Sequence, residues 1–392
     1  MAPELLGFIL GVIAGLVPGI HPNTFSALIL GASFLFSAHF TGSEIAIMIF
    51  VSSAVYSVVN IIPAVFVGVP DEDTSLAVFP AHRMVLDGEG FAAISISAVS
   101  SFLSSLLCVP VYYLILLAGK SADLSPLTTP VLIAVATYLI LIEDDRFGGS
   151  FAKWKKRLLA AVVFLLSGAI GVISLRHFYS DGISMLFPLL TGLFAFPTLV
   201  AGINSESIPD QRIEFVFPEF KNVLKGVVSG LFVSLFPGIS SGVATAISVG
   251  RGDDEKKYIS SISSANTANT ILNFAVLQSA GRARSGTADA FLYFTSPENY
   301  GYLPILALSA SFVAMAFSLL ISVPAMGFFS RISPSKLSRS VIAFLIFAVL
   351  YFTGFDGIAV FSVASAIGML TLLFRVRRIH CMGAIILPAI LY

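Results

Sequence analysis

The 392-residue chain is poor in charge: Asp, Glu, Lys and Arg make up 11% of it, against roughly 25% in soluble proteins. The 22 basic residues are balanced by 22 acidic ones, so there is no net field to draw in nucleic acid, and that function class is set aside. The two cysteines, Cys108 and Cys381, lie far apart in apolar surroundings and can build neither a disulfide framework nor a CxxC metal knuckle. The five histidines, His21, His39, His82, His177 and His380, are scattered without HExxH spacing, and no Walker A motif occurs. An enzyme needs a nucleophile-base pair or a metal set, and the sequence displays neither, so no catalytic residue, resident metal or cofactor is assigned. No basic leader or small-residue cleavage site follows Met1-Ala2-Pro3-Glu4, so the first apolar segment is expected to stay.

What is abundant is apolar: 57% of residues are hydrophobic, and the mean hydropathy is +0.94. Apolar runs recur from residue 5 to residue 392, which reads as one polytopic, all-α membrane protein of the cytoplasmic membrane. Expected spans are 43–67, 91–119, 129–143, 157–175, 183–202, 258–280, 302–330, 337–353 and 357–374. Two further stretches, 5–37 and 222–250, carry Pro-Gly in their middles, which frees backbone groups that hydrocarbon cannot satisfy.

Basic residues in short loops prefer the cytoplasm. Placing the loop with Arg146, Lys153, Lys155, Lys156 and Arg157 inside, and treating 222–250 as a re-entrant hairpin, brings Arg251, Lys256 and Lys257, then Arg331, Lys336 and Arg339, then Arg375, Arg377 and Arg378 inside as well. Treating 5–37 the same way puts Arg83 inside and leaves only Lys120, Arg176, Arg282 and Arg284, of 22 basic residues, outside. The two hairpins then open to opposite sides, with Thr41 and Asp254 on opposite faces. The expected organisation is a first membrane repeat over 1–203, a connecting amphipathic segment over 204–221, and a second, inverted repeat over 222–392, each starting with a Pro-Gly-broken re-entrant helical hairpin.

A shift of 219 superimposes the broken segments: Gly7, Gly11, Leu16, Pro18, Gly19, Ile20, Ala27 and Gly31 fall on Gly226, Gly230, Leu235, Pro237, Gly238, Ile239, Ala246 and Gly250. The glycine ladders read as helix packing. The breaks read differently, because a half-helix starting inside the apolar zone presents unpaired N–H groups and a partial positive charge, an anion site that needs no arginine. One kink favours a structural bend, whereas two equivalent kinks favour a binding site. The expected anion-binding residues are Pro18, Gly19, Ile20 and Asn23, with Pro237, Gly238, Ser240 and Ser241, and Asn266 and Asn269 as side-chain partners. After the next span, Ser52-Ser53-Ala54 matches Ser263-Ser264-Ala265 at an offset of 211. The polar run Ser263 to Thr270 is expected to line a hydrated cavity, with Ser264, Thr267 and Thr270 offering neutral oxygens to a coupling Na⁺. Glu44 and Asp289 are the acids to test for a proton route instead.

Gly15-Leu-Val-Pro18-Gly19-Ile-His-Pro22, then Asn60-Ile-Ile-Pro63 leading to Val69-Pro70, then Met84 and Gly88-Glu-Gly90, resembles the TctA-type large permease subunit of tripartite tricarboxylate transporters. Pro237-Gly238, Ser264-Ala265-Asn266 and Arg284-Ser285-Gly286 fit the same pattern, so the resemblance spans most of the chain. It implies a permease that moves carboxylates with ion coupling, beside a small membrane subunit and a solute-binding protein. The chain departs from the family at Pro70-Asp71-Glu72-Asp73, where three carboxylates follow the proline in place of glycine; this points away from a tricarboxylate.

Two other classes stay open on the residues. The tip Pro237-Gly-Ile-Ser-Ser-Gly242 is similar to breaks in polyprenyl-phosphate translocases, which would make a phosphorylated lipid the ligand. A membrane-embedded lipid-modifying enzyme would use Asp71, Glu72 and Asp73 to hold a divalent cation, against the plainer reading of a solvated acidic loop. Activity without added divalent metal separates carrier from metalloenzyme.

Overall fold

The computed structural model describes residues 2–391 apart from 18–24, 27, 28, 30–35, 68–77, 120–123, 144–148, 178–181, 204–208, 237, 238, 250–253, 297–299, 330 and 332. Among the described residues the chain is helical, without strands. In chain order the helices are α1 (Pro3–Leu16), α2 (Gly42–Val59), α3 (Ile61–Val67), α4 (Val78–Leu86), α5 (Gly90–Ala118), α6 (Thr128–Leu141) and α7 (Ser150–His177). Then come α8 (Gly182–Leu190), a π-helical turn (Thr191–Ala195), α9 (Phe196–Gly202), α10 (Phe220–Leu235), α11 (Ser241–Val249) and α12 (Glu255–Ala280). The last are α13 (Gly286–Phe294), α14 (Leu303–Phe329), α15 (Pro334–Phe374), a 3-10 turn (Arg378–Met382) and α16 (Gly383–Leu391). Among the described residues five stretches are long and apolar enough to cross a membrane: Gly42–Phe66, Gly90–Ala118, Ser150–Arg176, Leu303–Phe328 and Ser335–Phe374.

Local chemistry sets the helix starts. Thr41 opens α2 with a capping box: its hydroxyl accepts the Glu44 N–H, and the Glu44 carboxylate accepts the Thr41 N–H at 2.8 Å. Glu44 is thereby committed to the cap. Asp254 caps α12 by accepting the Lys257 N–H at 3.1 Å, and Gly281, at φ +69°, closes that helix in the left-handed conformation. The expected spans 337–353 and 357–374 form α15 and meet at Gly354, whose φ of +65° breaks the helical path. A continuous helix of that length would run about 60 Å, twice the hydrocarbon thickness, so the break belongs to the design.

Two large cores organise these helices, and each draws on both halves of the chain. The first joins residues of α2, α3 and α5 to residues of α12, α13 and α14, such as Phe50, Ile94, Phe274 and Phe291. The second joins α6, α7 and α8 to the α10–α11 segment, the later part of α15 and the C-terminus, through Leu132, Phe164, Phe236, Ala364 and Met382. From Ile45 to Val59 every residue of α2 is buried in protein, so its apolar side chains serve packing and touch no lipid.

Helix directions follow from the contacts. Phe50 meets Phe274 at 4.7 Å and Ser57 meets Thr267 at 3.3 Å, so α2 and α12 run antiparallel. Glu89 meets Lys256 and Tyr112 meets Gln278, each at 2.9 Å, so α5 and α12 run parallel. Arg83 and Glu255, 2.9 Å apart, bring the end of α4 and the start of α12 to one face. The segment from Pro209 to Glu219 is outside any helix and lies along the start of α5, where the Arg212 N–H reaches Gly88 O and the Val216 N–H reaches the Ser95 hydroxyl.

Candidate anion site at a broken hairpin

The sequence expectation for 222–250 was a hairpin, and the chain does fold back. The Ser229 hydroxyl donates to Ser248 at 2.9 Å across 19 residues, which an unbroken helix would separate by about 28 Å. In the first half Ile29 shares a core cluster with Ile45, Met48 and Ile49 of α2, against which Leu6 and Leu10 of α1 and Phe25 and Phe36 also pack.

The glycine ladders bring each first arm onto the following long helix. A Cβ at Gly226 would lie 2.3 Å from Ser261 O, and one at Gly230 2.5 Å from Ala265 O. Gly7 and Gly11 approach Met48 O and Ser52 O in the same way, at 2.8 and 2.5 Å. Packing therefore accounts for these glycines. It also corrects the second offset: Met48 corresponds to Ser261 and Ser52 to Ala265, a shift of 213 in place of 211. Close backbone approach sets the register here, two positions away from the alignment of Ser52-Ser53-Ala54 with Ser263-Ser264-Ala265.

Pro18, Gly19, Ile20, Asn23, Pro237 and Gly238 lie outside the described residues. Ile239 and Ser240 are buried, each 5% exposed. Ser240 is the residue before α11: its hydroxyl accepts the Val243 N–H at 3.3 Å and its carbonyl the Ala244 N–H at 3.1 Å. The same hydroxyl donates to Met382 Sδ at 3.9 Å, so the tip rests on the C-terminal 3-10 turn. Ser241 and Thr245 stand one turn apart on one buried face of α11, and the Thr245 hydroxyl has no hydrogen-bond partner. Helical side chains lean toward the N-terminus, so this hydroxyl lies over the first turn, where α11 presents its N–H groups. The hairpin itself spans the two cores: Val227 belongs to the first, and Phe236, Ile239 and Val243 to the second.

The polar run on α12 divides into two faces. Ser263 bonds Ser97 at 2.7 Å, Ser260 accepts from Ser100 at 2.9 Å, Ser264 donates to Ser100 O at 3.3 Å, and Ser104 donates to Ser264 O at 2.7 Å. The cavity expected around Ser263, Ser264 and Thr267 is thus replaced by interhelical bonding, because α5 carries a matching serine ladder and Ser57 takes Thr267. On the other face Asn273 donates to Asn269 Oδ1 at 3.1 Å, and Thr270 to Asn266 O at 3.0 Å. Asn269 lies beside Gly230, while the side-chain partner of the Ser240 hydroxyl is Met382 and no asparagine of α12. Asp289 stands on the exposed side of the first turn of α13, and no group of three or more His, Cys, Asp or Glu able to hold a metal occurs among the described residues.

Sequence reasoning missed a charged cluster beside this tip. The Glu143 carboxylate, only 4% exposed, meets Arg377 at 2.8 Å and His380 at 3.0 Å. Arg378 is buried too, donating to Phe194 O at 3.4 Å and to the Thr198 hydroxyl, where the π turn leaves the ordinary helical ladder. Separations of 234 to 237 residues hide such a cluster from any local motif.

A broken, buried hairpin spanning two helical cores is transporter architecture, and comparison decides the lineage. A model of the tripartite tricarboxylate transporter TctA family matches residues 3–383. The chain belongs to that family. It is accordingly a multi-pass membrane protein and a component of a transporter. An uncharacterized protein of Methanocaldococcus jannaschii is 28% identical over 400 aligned positions, covering 99% of this chain and 97% of that relative. No solved structure matches the chain.

Proposed function

We propose that this TctA-family chain is the permease subunit that carries a small anionic substrate, a carboxylate, across the cytoplasmic membrane by alternating access. The observation that carries the reading is the α10–α11 hairpin. Its second arm begins inside the protein at Ser240, with Ser241 and the unpartnered Thr245 hydroxyl on one face, and a helix start of this kind holds an anion without a counter-charge. The duplicated glycine packing and the antiparallel run of α2 and α12 support two inverted copies that rock against one another. Gly19, Ile20 and Asn23 complete the site from the first copy, and Asn266 and Asn269 border it.

Na⁺ is the coupling ion of this proposal, held by neutral oxygens of the Asn269, Thr270 and Asn273 face; Ser264 and Thr267, bonded to α5 and α2, are left out of it. A small membrane subunit and a solute-binding protein are the partners that the family implies. The test is uptake by proteoliposomes offered a panel of carboxylates, with and without Na⁺, and polyprenyl phosphates as a separate arm. Carboxylate uptake that disappears in both Gly19→Leu and Gly238→Leu, with the protein still folded, is the expected result. Unaltered uptake in both variants would make the breaks merely structural, and movement of polyprenyl phosphate alone would replace the substrate class.

A further inference from the structure

Glu143 follows α6, and its Oε2 takes both Arg377 Nε and His380 Nε2. With Nε2 directed at a carboxylate, the ring hydrogen is assigned to Nε2, which leaves Nδ1 as a bare lone pair. His380 is fully buried and its Nδ1 has no hydrogen-bond partner. A second N–H at that nitrogen would be a buried donor without an acceptor, which the packed arrangement cannot accommodate. The cluster as it stands is therefore a neutral imidazole on a carboxylate, balanced by Arg377, which is 45% exposed and forms its edge toward solvent.

We propose that Glu143 and His380 form a proton-binding site, which the packed state of the C-terminal turn holds empty. A proton taken from water adds to the His380 Nδ1 lone pair; no other covalent bond forms or breaks, and nothing is oxidised. The imidazolium needs an acceptor that it gains only if the turn Arg378–Met382 loosens. That turn carries Met382, against which the Ser240 hydroxyl rests. Proton binding and the packed tip are thus mutually exclusive, and linkage makes H⁺ a second cation coupled to the hairpin. The ionisable side chains on elements packed against the pair are Tyr138 on α6, Lys153, Lys155, Lys156, Arg157 and Arg176 on α7, and Lys336, Arg339, Tyr351 and Asp356 on α15, while the His177 side chain at the end of α7 lies outside those described. Arg375, Arg377, Arg378 and Cys381 come from the C-terminal stretch, while Asp144, Asp145 and Arg146 lie outside the described residues. The link to substrate movement rests on the transporter reading, whereas the site is tested without any substrate.

The chain has one tryptophan, and it stands beside the cluster. Arg157 lies 5.0 Å from the centre of the Trp154 ring and donates to Glu143 O at 3.3 Å. Trp154 emission of the purified full chain in phosphatidylcholine nanodiscs, titrated from about pH 8 to about pH 5, should show one transition. His380→Gln, whose amide still donates to Glu143 but takes no proton, should abolish it. A transition unchanged in a folded His380→Gln would overturn the proposal, as would its absence from the natural chain. Should that variant not fold, hydrogen exchange of residues 376–391 in the natural chain decides. After correction for intrinsic rates, exchange should be about tenfold faster at the acid end, and equal protection at both ends would overturn the proposal. Uptake lost in Gly238→Leu while the fluorescence transition persists would separate failure of one reading from failure of the other.

Discussion

Ser229 and Ser248 share a hydrogen bond of 2.9 Å from the two arms of one broken segment. Nothing else in the second half states so directly that the chain turns back inside the apolar zone. The pair joins arms at mid-height, so the tip at Ile239 and Ser240 is held while the first arm is clamped on α12 by Gly226 and Gly230.

A Ser229→Cys, Ser248→Cys chain should form a disulfide under mild oxidant. Cys108 and Cys381 are buried and free, so they offer no competing thiol at the surface. Gel mobility reads the cross-link, and transport should stop in the oxidised form and return on reduction. Two reactive but uncoupled thiols would contradict the hairpin.

Gly230→Ala should lower stability by about 1–3 kcal/mol, the usual cost of forcing a methyl group into closed packing. Its Cβ would meet Ala265 O at 2.5 Å and the Ala268 side chain at 2.6 Å. Gly301→Ala, where nothing lies within 4 Å, should stay within about 0.5 kcal/mol of the natural chain. Thermal melting in detergent compares them, and equal losses at the two sites would remove the close-approach argument.

Ser104→Ala deletes a donor to Ser264 O and should cost about 0.6 kcal/mol, the average for interhelical bonds in membranes. Uptake should persist if the serine ladder is structural. Loss of uptake at unchanged melting temperature would return this face of α12 to the transport path.

Single cysteines at Ser43 and Lys257, next to the caps Thr41 and Asp254, should be modified from opposite sides of oriented proteoliposomes. The antiparallel contact of α2 with α12 motivates this expectation. Labelling from one side alone would sink the inverted arrangement.

Asp254 is partly desolvated, which pushes its carboxyl up, but hydrogen bonds and charge from Lys257, at 2.9 Å, outweigh this and hold it below the ordinary carboxylate value. A depressed native value means the contribution is present above the unfolded value of about 3.9 and fades as pH falls through the native one. Asp254→Asn keeps the cap and removes the charge, so its melting deficit should be seen near neutrality and shrink below about pH 4. A deficit independent of pH would assign the effect to the cap alone.

Composition and periodicity determined the class of this protein, because a chain so short of charge and so rich in apolar runs has only the bilayer as solvent. The second fold-back was legible for the same reason: the sequence puts Pro-Gly in the middle of an apolar run, and Ser229 meets Ser248 across it. The basic loops, Arg83 and Lys256 among them, indicated which ends share a face, and the Arg83–Glu255 pair agrees. Tertiary structure alone decided where the polar residues of α12 point, since Ser263 and Ser264 find their partners on α5, more than 160 positions away, and a donor cannot be called satisfied until its acceptor is placed. It alone paired Glu143 with Arg377 and His380, and wove each core from both halves of the chain. Local sequence carries propensity and period, but burial and charge pairing arise when distant helices pack, and no spacing along the chain encodes that distance.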